Sequence, residues 1–518
     1  MSQDQRSDPD DDGQATSGAA TLSGGHILFC FFVSLLAAAI VGSVFSPRFY
    51  VWQDLHNPAV QFNPDINRAA VTLQQVEDPF LQDTELGLTN LGLQWRLFFP
   101  LLAHYLSLPE WLFLALPHVG CLLVLGLITY VVLRDTGSYW KASVAALLAG
   151  ALPWFFVSTG WLSYFDSWWV LGLLAVSVIR SRIGLVSACL IVPWIDERFV
   201  IGLPLAVVVR AFYLYGTSSR DLKPWYRDIL IVLALLLPYV MLRVVGVVGQ
   251  DATAAHFSEE WKRIDQAEFE QFKLGLWSGF RAAWIFIFAF IVLAWRRRPR
   301  LLIGLALPGI LLTTAAAIGI AADMSRGLMM LMPVMLAGLL LVLRTDHLYG
   351  SLLLCGAAAA NLLLPAHHFM WYDQERIHSL AHELKQLEKP IAEHHARYAA
   401  IYTENGEQFR GLGQLEQALV KFEFAIGLAP DIPAAHVYRG MVHLQLSELD
   451  MARRDIERGI ELDPTFAEGY FARGVLNLKI DDQEAAIRDL EKAIKVGGAS
   501  WSRRKECRFL LDSLSARQ

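Results

Sequence analysis

The stretch Trp161–Pro204 is apolar enough to lie in a membrane, yet it carries Asp166 among aromatics and the run Asp196-Glu197-Arg198 between two hydrophobic blocks. An ionisable side chain at membrane depth costs roughly 2.5–3.5 kcal/mol on insertion scales, so such groups commonly mark a cavity, a pathway or a site. Asp323 and Arg326 stand further on in AADMSRG, Asp54 follows the first apolar block, and Arg96 sits in QWRLFFPLLAHYL. A carboxylate in such a place can take the proton of an attacking hydroxyl or hold a metal ion. An arginine can grip phosphate oxygens bidentately. The competing expectation pairs Arg198 with Asp196 or Glu197, and Arg326 with Asp323, as ion pairs of purely structural use. Charges lying in short loops at a lipid surface would cost little and would need neither explanation.

The elements that must position these residues follow from composition. Of 518 residues, 54% are hydrophobic and only 18% charged, with a mean hydropathy of +0.38. A soluble chain this long carries more charge, so an all-α, polytopic membrane domain is expected to make up most of it. The formal net charge of -6 and the lack of a basic stripe argue against a nucleic-acid partner. Of Cys30, Cys121, Cys189, Cys355 and Cys507, four lie in apolar runs and no CxxC pair occurs, so neither a disulfide framework nor a zinc knuckle is indicated. No Walker, Rossmann or Ser-His-Asp signature is present.

Residues 1–25 are polar and acidic without apolar periodicity, which predicts a disordered tail. The block His26–Phe45 lacks a basic leader and reads as an uncleaved signal-anchor helix opening a membrane domain over 26–368. The polar interval 46–93 predicts an outer loop with short helices, and Leu93–Leu108 an interfacial or re-entrant helix. Hydrophobic blocks then follow at 111–133, 142–160, 161–179, 183–195, 199–215, 228–248, 277–295, 301–321, 327–343 and 348–366. With the first helix they suggest about eleven spans. Arg134, Lys141, Arg180, Arg182, Arg220, Lys223, Arg227, the Arg296–Arg300 cluster and Arg344 fall on one side if the N-terminus is cytoplasmic. This register, typical of a bacterial inner or plasma membrane, puts Asp166, Asp196, Glu197, Arg198, Asp323 and Arg326 together at the outer face.

After Phe369 the composition turns charged, and a helical linker over 369–398 is expected to emerge on the outer side. His378 and His382 stand at a helical i, i+4 spacing that could bind zinc, but no third ligand is placed and a solvated helix face is the stronger expectation. Pro430 and Pro464 close similar runs 34 residues apart. At that period Tyr402, His436 and Tyr470 share one position, Gly406, Gly440 and Gly474 another, and Ala418, Ala452 and Ala486 a third. Phe422, Ile456 and Leu490 then supply a large apolar residue, with Ala425, Gly459 and Ala493 after it. This pattern resembles the tetratricopeptide repeat (TPR), a helix–turn–helix unit that buries its apolar faces only by stacking. Three repeats over 399–498 and a closing helix over 499–518 are expected. The resemblance implies an α-solenoid with a groove for a protein or peptide, not a chemistry.

A multi-spanning domain with a long first outer loop, outward acids and appended repeats resembles the GT-C class of glycosyltransferases. That resemblance implies transfer of a sugar from a lipid-phosphate donor to a protein or envelope glycan, with a divalent metal as a possible cofactor. By position it implies Asp54 as the catalytic base or metal ligand of the first outer loop, with Asp65, Asp78, Asp83 and Glu85 as competitors and Asp166, Asp196 and Glu197 as further candidates. Arg96, Arg198 and Arg326, with Asp323, would bind the substrate. The sequence departs from the class in lacking an Asp-Glu pair directly after the first span. The alternative is a non-catalytic membrane scaffold that recruits partners through its repeats. A transporter is weaker still, since the acids gather at one face rather than the midplane.

Overall fold

The computed structural model describes residues 24–55, 64–80, 95–214, 223–247, 269–297, 300–319, 323–370, 373–387, 391–411, 413, 415–498 and 501–515. In chain order the helices are α1 (Gly24–Val44), α2 (Phe49–Asp54), α3 (Pro64–Glu77), α4 (Phe98–Leu106), α5 (Glu110–Thr136), α6 (Tyr139–Gly150), α7 (Pro153–Gly160) and α8 (Asp166–Val178). Next come α9 (Arg182–Ile191), α10 (Arg198–Leu214), α11 (Lys223–Val247), α12 (Phe269–Phe280), α13 (Trp284–Arg297), α14 (Arg300–Gly319), the short α15 (Met324–Gly327), α16 (Met332–Thr345) and α17 (His347–Leu363). A hairpin of β1 (His367–Met370) and β2 (Asp373–Arg376) precedes α18 (Leu380–Leu387) and α19 (Ile391–Gly411). The rest is α20 (Leu415–Leu428), α21 (Pro433–Gln445), α22 (Leu449–Leu462), α23 (Ala467–Lys479), α24 (Gln483–Gly497) and α25 (Arg504–Ser515).

These elements fall into two compact units. The first comprises Met1–Ser46, Ala115–Ser158 and Phe165–Ile377, and the second Pro47–Leu114, Thr159–Tyr164 and His378–Gln518.

In the first unit α16 is the centre, its residues buried from Met332 to Leu343. It packs on α13, α17, α10 and α8. Glycines let the backbones approach: a Cβ on Gly172 of α8 would lie 2.8 Å from Val192, and one on Gly202 of α10 would lie 2.9 Å from Leu173. Small residues at helix crossings are how apolar helices gain dispersion contact where no water drives association. The outward faces are apolar too, with Ile27, Phe31 and Phe32 of α1, Leu230, Leu233 and Leu237 of α11, and Phe288 and Val292 of α13 all exposed.

Among the described residues five helices are long and apolar enough to cross a membrane: Gly24–Val44, Glu110–Thr136, Trp225–Arg243, Lys273–Trp295 and Met324–Thr345. A sixth arises if α6 and α7, bent by 61° at Ala151–Leu152, count as one. Among the described residues five or six such helices stand where about eleven spans are expected. Apolar blocks that look continuous in sequence are cut into short helices, such as the 13 residues of Asp166–Val178. At 1.5 Å per residue that helix is about 20 Å long, short of the roughly 30 Å hydrocarbon thickness.

Two buried arginines stitch these cuts. Arg281, at the break between α12 and α13 with φ +48°, donates to the carbonyls of Asn361 (2.6 Å), Leu364 (3.1 Å) and Ala151. Arg210 of α10 pairs with Asp228 at 2.7 Å and donates to the carbonyls of Val176, Ile179 and Arg180 at the end of α8. A cation there satisfies orphan carbonyls and complements the helix dipole.

In the second unit α2 and α3 supply short helices in the polar interval, and α2 packs on α18. The linker expected to be helical from 369 instead begins as a hairpin, pairing His367 with Arg376 and Met370 with Asp373. Phe369 N–H is tied at 3.1 Å to Ser325 Oγ, which fixes β1 against α15 within the first unit.

From α19 to α24 the chain forms three helical hairpins, α19/α20, α21/α22 and α23/α24. The glycine positions explain the stacking. A Cβ would stand 2.6 Å from Phe422 at Gly406, 2.7 Å from Ile456 at Gly440 and 2.9 Å from Leu490 at Gly474. Each glycine is therefore the hole for the large apolar knob of its own second helix. Pro433 opens α21 at a position where its missing N–H costs nothing, and Asp482 caps α24 by accepting from Ala485 N–H at 3.0 Å. Successive first helices, α19 on α21 and α21 on α23, also pack directly, whereas the second helices make no comparable contact with one another. The row of first helices thus lines the inner side of the stack.

Candidate functional site

The acids far apart in sequence do gather in the first unit. Arg326 donates from Nε and Nη2 to the two oxygens of Asp166, at 3.1 and 2.8 Å, and from Nη1 to Asp323 Oδ2 at 3.0 Å. Trp169 Nε1–H donates to Asp166 Oδ1 at 3.0 Å, and His368 Nε2 lies 3.2 Å from Asp323 Oδ2. All four of Asp166, Asp323, Arg326 and His368 are buried. Asp196 and Arg198 form a separate pair at 3.1 Å, and both lie within electrostatic reach of Asp166.

Local structure places each member. Asp166 opens α8, which is drawn onto α5 by Ser167 Oγ donating to Pro117 O at 2.7 Å and Trp168 Nε1 donating to Leu116 O at 2.8 Å. Gly120 makes the room, since a Cβ there would stand 2.4 Å from Ser167 Oγ. Asp323 caps α15, accepting from Ser325 Oγ and Arg326 N–H. Asp196, two residues before α10, accepts from Arg198 N–H, the first N–H of that helix, at 3.0 Å.

Chemically this is first an ion network. The geometry realises the pairings Arg198–Asp196 and Arg326–Asp323, and adds the pair Arg326–Asp166, which spacing did not suggest. Every nitrogen of the Arg326 guanidinium points at a carboxylate, so a phosphate would have to displace one. Arg198 is different, because its Nε is buried without a hydrogen bond. Glu197 is half-buried beside them.

The remaining expected site residues are not brought into this network by the described geometry. Asp54 ends α2, and its side chain lies outside the described residues, as do the side chain of Asp65 and the whole of Asp83 and Glu85. Asp78 is exposed and accepts from Phe80 N–H at 3.2 Å. Arg96 is half-buried in the second unit, in the stretch leading to α4. His378 and His382 stack with ring centroids 4.0 Å apart. Among the described residues no group of three His, Cys, Asp or Glu side chains could hold a metal ion. Sequence reasoning missed Arg210, Asp228 and Arg281. The signal was available, because Arg210 in LAVVVRAFYL and Arg281 in SGFRAAWIF are charges inside apolar runs.

The second candidate surface is the inner face of the repeats. Glu407 of α19, Met441 of α21 and Val475 of α23 are equivalent positions 34 residues apart. Glu407 is clasped by Arg410, with Nη2 at 2.9 Å from Oε2. Tyr438, half-buried between Glu407 and Glu468, has its phenol pKa pushed up to about 12, first by burial and then by the two carboxylates. Burial likewise raises the Glu468 carboxyl, more than Trp501 and Arg503 lower it. Between the hairpin helices Arg439 chelates Asp455, both contacts 2.7 Å, and Arg473 chelates Asp489 at 2.9 and 2.7 Å. Burial pushes the Asp455 carboxyl up, but the hydrogen bonds from Arg439, with His436 and His443 near by, pull it below the usual carboxylate range.

Residues 467–496, the α23/α24 hairpin, match the family model described as "Tetratricopeptide repeat". No curated protein matches the chain. Solved structures that it resembles include the first TPR of Spaghetti (RPAP3) bound to an HSP90 peptide, at 18% identity over 24% of this chain and 94% of that one, with a TM-score of 0.21. Another is the TPR2B domain of yeast Sti1 in complex with an Hsp70 peptide, at 18% identity over 24% and 99%, with a TM-score of 0.22. The TPR2AB domain of yeast Sti1 with an HSP90 peptide is similar at 21% identity over 26% and 54%, also with a TM-score of 0.22. The C-terminal part of this chain carries a tetratricopeptide repeat at residues 467–496.

Proposed function

We propose that the chain is an integral membrane scaffold: its apolar helices anchor a TPR module that holds a protein or peptide partner. The observation that carries this reading is the repeat itself, three hairpins whose first helices form one continuous inner face. Such a face has no chemistry of its own and is suited to laying an extended or helical segment along it. Membrane anchoring is supported by the five long apolar helices and by the exposed apolar side chains of α1, α11 and α13. On this reading the N-terminus is cytoplasmic, and five spans from it would put the repeats on the outer side. The test is a set of point variants in the source cell. Gly440→Trp, which forces a ring against Ile456, is expected to abolish partner co-isolation, while Asp54→Asn and Asp196→Asn leave it intact. Loss of function in the Asp variants with a silent Gly440→Trp would reverse the assignment.

A second reading, transfer of a sugar from a lipid-phosphate donor, is favoured by one observation. Asp166, Asp196, Arg198, Asp323 and Arg326 lie in one electrostatic neighbourhood, and Arg198 keeps a donor to spare. On this reading Asp196 or Glu197 takes the acceptor proton and Arg198 meets the phosphate. Membranes holding the chain would transfer label from a polyprenyl-phosphate sugar, and Asp196→Asn would stop it. Equal transfer by wild type and variant would remove the reading.

A further inference from the structure

The inner face of the repeats is occupied by the chain itself. Trp501 Nε1–H donates to Glu468 Oε1 at 2.9 Å, and the indole packs edge-on against Phe471 with centroids 6.0 Å apart. Gly497 makes the space, since a Cβ there would stand 2.7 Å from Trp501 Cγ. Two residues on, Arg503 lies over the Phe471 ring at 5.3 Å, places Nε 3.2 Å from Glu468 Oε2, and reaches Glu407 of the first hairpin at 4.0 Å. One short segment therefore touches the first helices of the first and third hairpins. It is held there by Arg504, which donates to the carbonyls of Ile494 and Gly498 at the end of α24.

The residues touched are not generic repeat positions. The place held by Glu468 is occupied by Ala434 one repeat earlier, and that of Glu407 by Met441 and Val475 later. Glu468 is buried, and its Oε2 accepts no hydrogen bond although Arg503 stands beside it. A buried carboxylate oxygen left so is costly, and a better-placed cationic donor would satisfy it. Phe471 supplies the aromatic surface under Arg503, and Arg410 hydrogen-bonds Glu407 but not Glu468.

We propose that this face is the binding site for a basic, tryptophan-bearing peptide segment of a partner protein, and that Trp501 and Arg503 hold it in cis until the partner displaces them. The inference deepens the scaffold reading and rests on it. The charge complementarity fixes the class of ligand: arginine or lysine against Glu407 and Glu468, with an indole against Phe471. A cis occupant at high effective concentration lowers the apparent affinity of any partner by the fraction of time it is bound.

The experiment measures fluorescence anisotropy of a labelled synthetic peptide of residues 501–508, with serine in place of Cys507, against the full chain in detergent. The doubly substituted chain Trp501→Ala, Arg503→Ala is expected to bind the peptide about tenfold or more tightly than wild type. Adding Glu407→Gln and Glu468→Gln should return binding to the wild-type level, and a peptide with glutamate for each basic residue should not bind. Arg503→Gln alone, which keeps the indole in place, should give a smaller gain and guards against misfolding of the double variant. Binding by both vacated chains no tighter than wild type, or equal binding of the acidic peptide, would overturn the proposal. If Gly440→Trp also loses the cellular partner in that case, the scaffold reading stands and only the ligand class is wrong.

Discussion

A Cβ added to Gly440 would lie 2.7 Å from Cγ1 of Ile456 and 3.1 Å from the carbonyl of Ala452, so the two helices of the middle hairpin touch backbone to side chain at that point. Gly440→Ala should destabilise the module by about 1–3 kcal/mol, the usual range for overpacking a well-filled site. Gly427 in α20 has nothing within 4 Å of the corresponding position. Gly427→Ala should therefore stabilise by about 0.5–1 kcal/mol through helix propensity. Thermal unfolding of the full chain read by circular dichroism separates them, since the two substitutions move the transition in opposite directions.

The Arg439–Asp455 chelate makes the repeats sensitive to acid. The folded Asp455 carboxyl lies below its usual range, so its share of stability is present above the ordinary carboxylate pKa and is lost as pH falls through the folded value. Unfolding midpoints should drop on acidification towards and below about pH 4, and Asp455→Asn should flatten that dependence. At neutral pH the same substitution should cost about 1–3 kcal/mol, because Arg439 loses its charged partner.

In the first unit the Asp166–Arg326 pair should behave as a buried ion pair whose partners depend on each other. Arg326→Ala strands the carboxylates of Asp166 and Asp323 and should cost about 3–5 kcal/mol, Asp166→Ala leaves Arg326 with Asp323 and should cost less, and the joint change Asp166→Leu, Arg326→Met, which leaves Asp323 with His368, should cost less than the two single losses together. Melting of the purified chain in detergent, compared across the three variants, checks the coupling. Additive losses would contradict it.

Arg281 satisfies carbonyls at Ala151, Asn361 and Leu364, ends of two otherwise separate helices. Arg281→Met keeps most of the volume but leaves these acceptors bare, and should lower stability by about 2 kcal/mol or more. Limited proteolysis should then cut faster at the bend between α6 and α7.

The repeats were legible because stacking imposes a fixed period, and the Gly406–Phe422, Gly440–Ile456 and Gly474–Leu490 contacts follow from it. The buried network was only half legible. Pairs close in sequence, such as Asp196 with Arg198, can be read from spacing, but Arg326 meets Asp166 across 160 residues because α15 and α8 abut. Apolar runs obscured their own breaks: the helices of 142–160 bend by 61° between Gly150 and Pro153, residues that mark a stop and a restart but are also tolerated inside a single span. Arg210 and Arg281 stand out, like Asp166, as charges inside such runs. The hairpin at His367–Arg376 is too short for periodicity to register. The docking of Trp501 and Arg503 follows a turn at Gly498, with φ +67°, that the Gly497-Gly498 pair announces as a helix end, but nothing in the spacing says that the indole then meets Glu468.

The most direct measurement is photo-crosslinking in the source cell with a photoreactive residue at Val475, on the inner face of α23, in chains with and without Gly440→Trp. The account predicts a discrete crosslinked partner whose yield rises with Trp501→Ala, Arg503→Ala and disappears with Gly440→Trp. A crosslinked product that is unchanged by Gly440→Trp, or no partner at Val475 in a chain that still functions, would contradict the claim that the repeats hold a partner.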